Sequence, residues 1–181
     1  SGGRVELGLG VGWMKEEFDA LGVPWEKRGA RNDEYIEAMR ALWQGPHAEY
    51  HGDFVDFEPA TCSPRPVNGS IPVIVGGDSD AAISRAVRIA DGYFPGEGDI
   101  AQLGALLDRV RQAAEAAGRD PASIEFSAIF GSQMANPEQG VEEMASIGVD
   151  RIMVPAFFFG GPDGLDNLDQ LSERIMPIAN G

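Results

Sequence analysis

Apolar and polar positions along the chain follow two alternating periods, and the switches between them divide it into segments. Arg4-Val5-Glu6-Leu7-Gly8-Leu9 alternates and then breaks into glycine, which predicts a strand. Lys15 to Leu21 reads as a short helical turn stopped by Gly22, with Pro24 following. From Asn32 to Gln44, the residues Tyr35, Ile36, Met39, Leu42 and Trp43 recur at helical spacing, and Gly45-Pro46 closes the helix. Glu49 to Phe57 turns near Gly52-Asp53, predicting a small β-hairpin insertion at about 48–58. A Pro-rich link, Ser63-Pro64-Arg65-Pro66, comes next.

Ile71-Pro72-Val73-Ile74-Val75 is apolar throughout and ends at Gly76-Gly77, the pattern of a strand covered on both faces. Helices are predicted over 80–90 and 100–117, with strands at 92–95, 124–130 and 151–155. Asn136-Pro137-Glu138-Gln139 is a helix start, with Asn as N-cap, Pro in the first turn and Gln three residues after the cap. Gly148 ends that helix, and Leu168, Leu171 and Ile175 mark a last one. The alternation implies an α/β fold with five parallel strands joined by right-handed crossovers. Five such units suit the later part of a (β/α)8 TIM-type barrel, which typically needs about 250 residues. A five-stranded doubly wound sheet fits equally, and periodicity does not separate the two.

Glycines gather at the C-terminal ends of two strands. In Gly8-Leu9-Gly10-Val11-Gly12-Trp13 they allow a ligand or a neighbouring backbone to come close. A dinucleotide fingerprint is not met, because no third glycine falls three residues after Gly12. A tight strand-to-helix turn explains the same residues. Val75-Gly76-Gly77-Asp78-Ser79 lies between a buried strand and a helix start, where free N–H groups and the helix dipole can cradle a phosphate. Asp78 or Ser79 can equally serve as the helix cap, and the two roles are compatible. Gly77-Asp78-Ser79-Asp80-Ala81 also approximates a nucleophile elbow, but that fold places its histidine downstream, and His47 and His51 both lie upstream. Those histidines sit in the hairpin without a metal-ligand spacing, so they read as solvated and no metal is expected. Phe157-Phe158-Phe159 follows the last strand and cannot point inward as a block; it suits an apolar substrate pocket or contact with a neighbouring element.

Charge narrows the partners. The 181 residues carry 14 Lys+Arg against 29 Asp+Glu, a net charge of −15, which repels nucleic-acid phosphates and anionic lipid. Neither a nucleic acid nor a membrane is an expected partner. Cys62 stands alone and cannot form an internal disulfide. No apolar run approaches membrane-span length and no signal peptide opens the chain, so a cytoplasmic location is expected and the sequon Asn68-Gly69-Ser70 carries no weight. Opening on Ser1 rather than Met, the chain is expected to be part of a longer product.

Taken together, the stretches Ser1–Trp43, Tyr50–Val67 and Ile71–Pro95 resemble the luciferase-like monooxygenase superfamily, in particular its branch of oxidoreductases dependent on the deazaflavin coenzyme F420. The likeness continues more weakly to the end. It implies a (β/α)8 barrel in which Arg4–Leu9 is the fourth strand and Arg151–Pro155 the eighth, with the hairpin as the insertion before the fifth. It implies that Gly10, Val11, Gly12 and Trp13 lie against the tricyclic ring, and that Gly76, Gly77, Asp78 and Ser79 cradle the cofactor phosphate. The activity implied is hydride transfer between F420 and a small organic substrate, with an FMN-dependent monooxygenase as the sister reading. No residue stands out as catalytic acid or base, although Glu6 is placed where it could point into the barrel. Arg65, Arg85 and Arg88 lie near the phosphate loop in sequence and would suit the cofactor's polyglutamate tail. The family's first three strands have no counterpart here. The expectation is therefore a homodimer or association with the absent N-terminal part, and the rival reading is a non-catalytic barrel fragment or subunit.

Overall fold

The computed structural model describes residues 1–179. Its main sheet holds β1 (Leu7–Leu9), β4 (Val73–Gly76), β5 (Gly92–Phe94), β6 (Glu125–Ile129) and β7 (Arg151–Met153) in that spatial order. Every pair is parallel. Helices α1 (Lys15–Leu21) and α2 (Arg28–Gln44) follow β1, and α3 (Asp80–Ile89), α4 (Ile100–Ala116), α5 (Pro137–Ser146) and α6 (Gly164–Ala179) alternate with the later strands. A separate antiparallel hairpin, β2 (Ala48–His51) and β3 (Asp56–Ala60), confirms the predicted insertion.

Strand order decides between the two architectures. Each new strand is added on the same side of the last, so right-handed crossovers carry all the helices to one face. A doubly wound sheet reverses its order once and uses both faces; no reversal occurs here. The sheet also curls. A flat sheet would hold β1 and β7 apart by four strand spacings of about 4.8 Å, yet the Arg151 guanidinium at the start of β7 bonds the Glu6 carboxylate just before β1. The fold is a partial barrel of five parallel strands.

Its core lies between the sheet's outer face and the helices. Val73, Val75, Tyr93, Phe126, Ala128 and Phe130 alternate along the strands and pack with Ile83, Leu103, Leu107, Val110 and Met144. The hairpin is docked on α2: the Glu34 carboxylate accepts the N–H groups of Asp53, Phe54 and Val55, and Glu37 accepts the Tyr50 hydroxyl at 2.8 Å.

Two boundaries and one cap illustrate how the structure departs from the sequence reading. The first strand is shorter, because Pro72 offers β1 no N–H and the ladder begins at Leu7 and Val73. Helix α2 starts at Arg28 rather than Asn32, since its first turn is held by cations rather than by apolar packing. Arg28 stacks 3.6 Å over the Trp25 ring, and Arg31 donates to the Pro24 carbonyl (2.8 Å). The Asn136 cap is not made, because its side-chain amide donates to Gln139 Oε1 at 2.7 Å instead of receiving a helix N–H.

Candidate cofactor site

The concave face of the sheet encloses a space of about 490 Å³. Residues on alternate strand positions to the core ones line it. Ile74, Phe94 and Met153 give it apolar walls, Gly8, Gly10 and Gly76 leave flat backbone, and Glu6 and Arg151 stand at the starts of their strands. A Cβ added at Gly8 or Gly10 would meet nothing within 4 Å, so the space continues up to the β1 backbone. Ser127 is buried and also faces it.

The turn leaving β4 runs along the same end of the sheet. Gly76 lies in the wall, and Gly77 has φ +110°, a conformation L side chains rarely adopt. The Ser79 side chain caps α3 by accepting the Ala82 N–H at 3.2 Å. Asp78 accepts the Gly96 N–H at 2.8 Å, and the Gly77 carbonyl accepts the Tyr93 hydroxyl at 2.7 Å. Among the described residues, the N–H groups of Asp78, Ser79, Asp80 and Ala81 have no hydrogen-bond acceptor. The cap does not use up the turn: Ser79 serves one N–H and leaves several others at the positive end of α3.

The other glycine turn is built around Phe18. Gly12 has φ +78°, and a Cβ there would stand 2.6 Å from the Phe18 ring. That ring packs edge-on against Trp25 at 5.1 Å, and Arg28 Nε donates to the Gly12 carbonyl at 3.2 Å. Of the residues expected to meet the ring, Gly10 lines the space. Val11, Gly12 and Trp13 continue the turn beyond it, and Trp13 is 81% exposed.

The floor carries a charged cluster facing this space. Arg151 bonds both oxygens of Glu6 and reaches Glu125 at 3.2 Å. The Arg151 guanidinium, with a smaller opposing effect of burial, holds the Glu6 carboxyl below its ordinary value of 4.5. Glu6 does point into the barrel, but as an ionised partner of Arg151 and not as a proton donor. Its folded pKa is depressed, so its contribution to stability is complete above about pH 4.5 and is lost as pH falls through the lower folded value. The variant Glu6→Gln should therefore show a smaller fall in urea midpoint between pH 6 and pH 3 than the wild-type chain. Equal falls would show that the pair does not couple folding to protons. Of this cluster only Glu6 is singled out by the sequence, because its partner Arg151 lies 145 positions away.

Other sequence candidates are placed elsewhere. Arg85 and Arg88 both bond Asp33 of α2, and Arg65 reaches the Gln44 carbonyl, so these three are spent on the outer helices. His51 pairs with Asp56 at 2.7 Å on the exposed hairpin, and no group of three metal-ligating side chains occurs among the described residues. The phenylalanine run forms a 3-10 turn over Ala156–Phe159: Phe159 packs on the core, while Phe157 is 76% and Phe158 37% exposed. No described helix is long and apolar enough to cross a membrane.

A curled sheet of parallel strands with a cavity on its concave face, and a glycine turn with uncommitted N–H donors leaving one of its strands, places the chain among barrel-type α/β proteins. The family model for luciferase-like monooxygenases matches residues 1–172, and the chain belongs to that family. It is 36% identical over 184 residues to an uncharacterized protein of Mycobacterium tuberculosis, covering 97% of this chain and 62% of that relative. It is likewise 36% identical over 122 residues to the FMNH(2)-dependent dimethylsulfone monooxygenase of Pseudomonas putida, covering 65% of this chain and 34% of that protein. Among solved structures, the coenzyme F420 dependent tetrahydromethanopterin reductase from Methanopyrus kandleri superposes with a TM-score of 0.74 at 18% identity, over 98% of this chain and 75% of its own. The chain thus spans about three fifths of the mycobacterial relative's length.

Proposed function

We propose that this chain forms the cofactor-holding part of an F420-dependent oxidoreductase that transfers hydride to or from a small organic substrate. The observation that supports the reading is the turn at Gly76-Gly77-Asp78-Ser79, whose uncommitted N–H groups follow directly on Gly76, a residue in the wall of a largely apolar space of about 490 Å³. The residues suit such a group. Glycines keep side chains off the β1 wall, the donors at the start of α3 match phosphate oxygens, and φ +110° at Gly77 sets the turn.

When bound, the cofactor supplies the redox chemistry, and the protein orients it and excludes water. Gly8 and Gly10 would let a flat ring approach the strand backbone, while Ile74, Phe94 and Met153 would cover it with apolar surface. Asp78 to Ala81 would hold the phosphate through their N–H groups. Glu6 and Arg151 would remain ionised beneath and move no proton.

FMN is the second reading, favoured by the identity to the FMNH(2)-dependent monooxygenase. The edges of β1 and β7, and the half-exposed Met153, support completion of the barrel by further β/α units on a longer product or on a second copy. Titrating the purified chain with F420 and with FMN, followed by cofactor fluorescence, tests the reading. Saturable micromolar binding of F420 is expected. Binding of FMN alone would transfer the assignment to the monooxygenase type, and binding of neither would mark a non-catalytic subunit.

A further inference from the structure

We infer that Tyr93 is a positioning residue for the phosphate-binding turn, its hydroxyl fixing the Gly77 carbonyl so that the donors that follow stay free for an anion. This role rests on the function proposed above. Tyr93 is fully buried in β5, and a hydroxyl there costs free energy unless it is bonded. Its one bond goes to Gly77 O, at the residue whose backbone stands at φ +110°.

Two neighbouring ties act in the same sense. Asp78 Oδ1 accepts the Gly96 N–H, and Ser79 Oγ accepts the Ala82 N–H. Three consecutive residues of the turn are therefore anchored to β5, to the segment after it and to α3. Each anchor uses an oxygen of the turn, and none uses the N–H groups of Asp78 to Ala81. The turn is left as a donor surface, which calls for an acceptor-rich anion. Its own carboxylate, Asp78, is meanwhile engaged by Gly96. Burial, with the Asp78 charge adding to it, pushes the Tyr93 phenol upward, so it remains a donor at neutral pH.

The test compares ligands that differ by the phosphate. FMN and riboflavin, and F420 and its phosphate-free deazaflavin, are titrated against the wild-type chain, Tyr93→Phe, Asp78→Ala and Asp78→Asn. Loss of one hydrogen bond that holds the turn should weaken phosphate-bearing ligands about five- to tenfold in Tyr93→Phe and leave the phosphate-free ones unchanged. Asp78→Ala should behave alike, while Asp78→Asn keeps an acceptor for Gly96 and retains the discrimination. Equal weakening of both ligand types, or none, would overturn the role while leaving the proposed function standing. Absence of binding by the wild-type chain would overturn that function and this role with it.

Discussion

Gly77→Leu is expected to weaken F420 or FMN binding by about a hundredfold or more, the loss of two or so charge-assisted hydrogen bonds. Two features of Gly77 lead to this. Its φ of +110° is strained for any L side chain, at a cost of about 1–3 kcal/mol. A Cβ would also stand 3.3 Å from the Ala82 Cβ, in the first turn of α3. The backbone must shift, and it carries the Asp78 to Ala81 donors with it. Gly69→Leu is the matched control: Gly69 has φ +75°, in a turn closed by its N–H on the Pro66 carbonyl, and a Cβ there meets nothing within 4 Å. It should carry a comparable loss of thermal stability without a change in affinity. Fluorescence titration and thermal melting of both variants separate the effects, and an unaltered affinity in Gly77→Leu would remove the cradle assignment.

Phe130→Ala should cost about 3–5 kcal/mol of folding stability, the largest effect expected from a single truncation in this chain. Phe130 is fully buried where β6 ends, and its N–H donates to the Met153 carbonyl at 2.9 Å. The tip of its ring lies beneath α5, 3.0 Å from where a Cβ on Gly140 would be. Helix α5 thus sits directly on the ring, and removing it leaves a cavity that neither the helix nor the strand can close without moving. Phe130→Leu, which retains most of the volume, should cost less than about 1.5 kcal/mol. Urea denaturation at neutral pH measures both. A loss below about 1 kcal/mol for Phe130→Ala would mean that α5 is not seated on this residue.

Much of the architecture was legible because it is local. The apolar run at 71–75, the Gly-rich ends of two strands and the helical spacings at 32–44 and 100–117 each depend on neighbours in sequence, and each appears close to where the pattern puts it. The Asn136 cap failed for the opposite reason. The residue types were right, but Asn136 and Gln139 bond each other's side chains, a competition that composition does not reveal. The run of three phenylalanines shows the same limit. That the side chains must diverge was evident, whereas which one enters the core depended on where α6 comes to lie.

For the site, the chain by itself determined the turn chemistry. Glycine where φ is positive, a serine at the helix start and a buried strand before it make a turn with free N–H groups by backbone physics alone. Tertiary structure decided what lies beside that turn. The order of the strands, all added on one side, curls the sheet and turns Gly8, Gly10, Ile74 and Met153 toward one space. The curl brings Arg151 to Glu6 from the far edge, and β5 delivers the Tyr93 hydroxyl to Gly77. Such contacts join residues far apart in the chain, and only closure of the backbone into a curved sheet sets their distances.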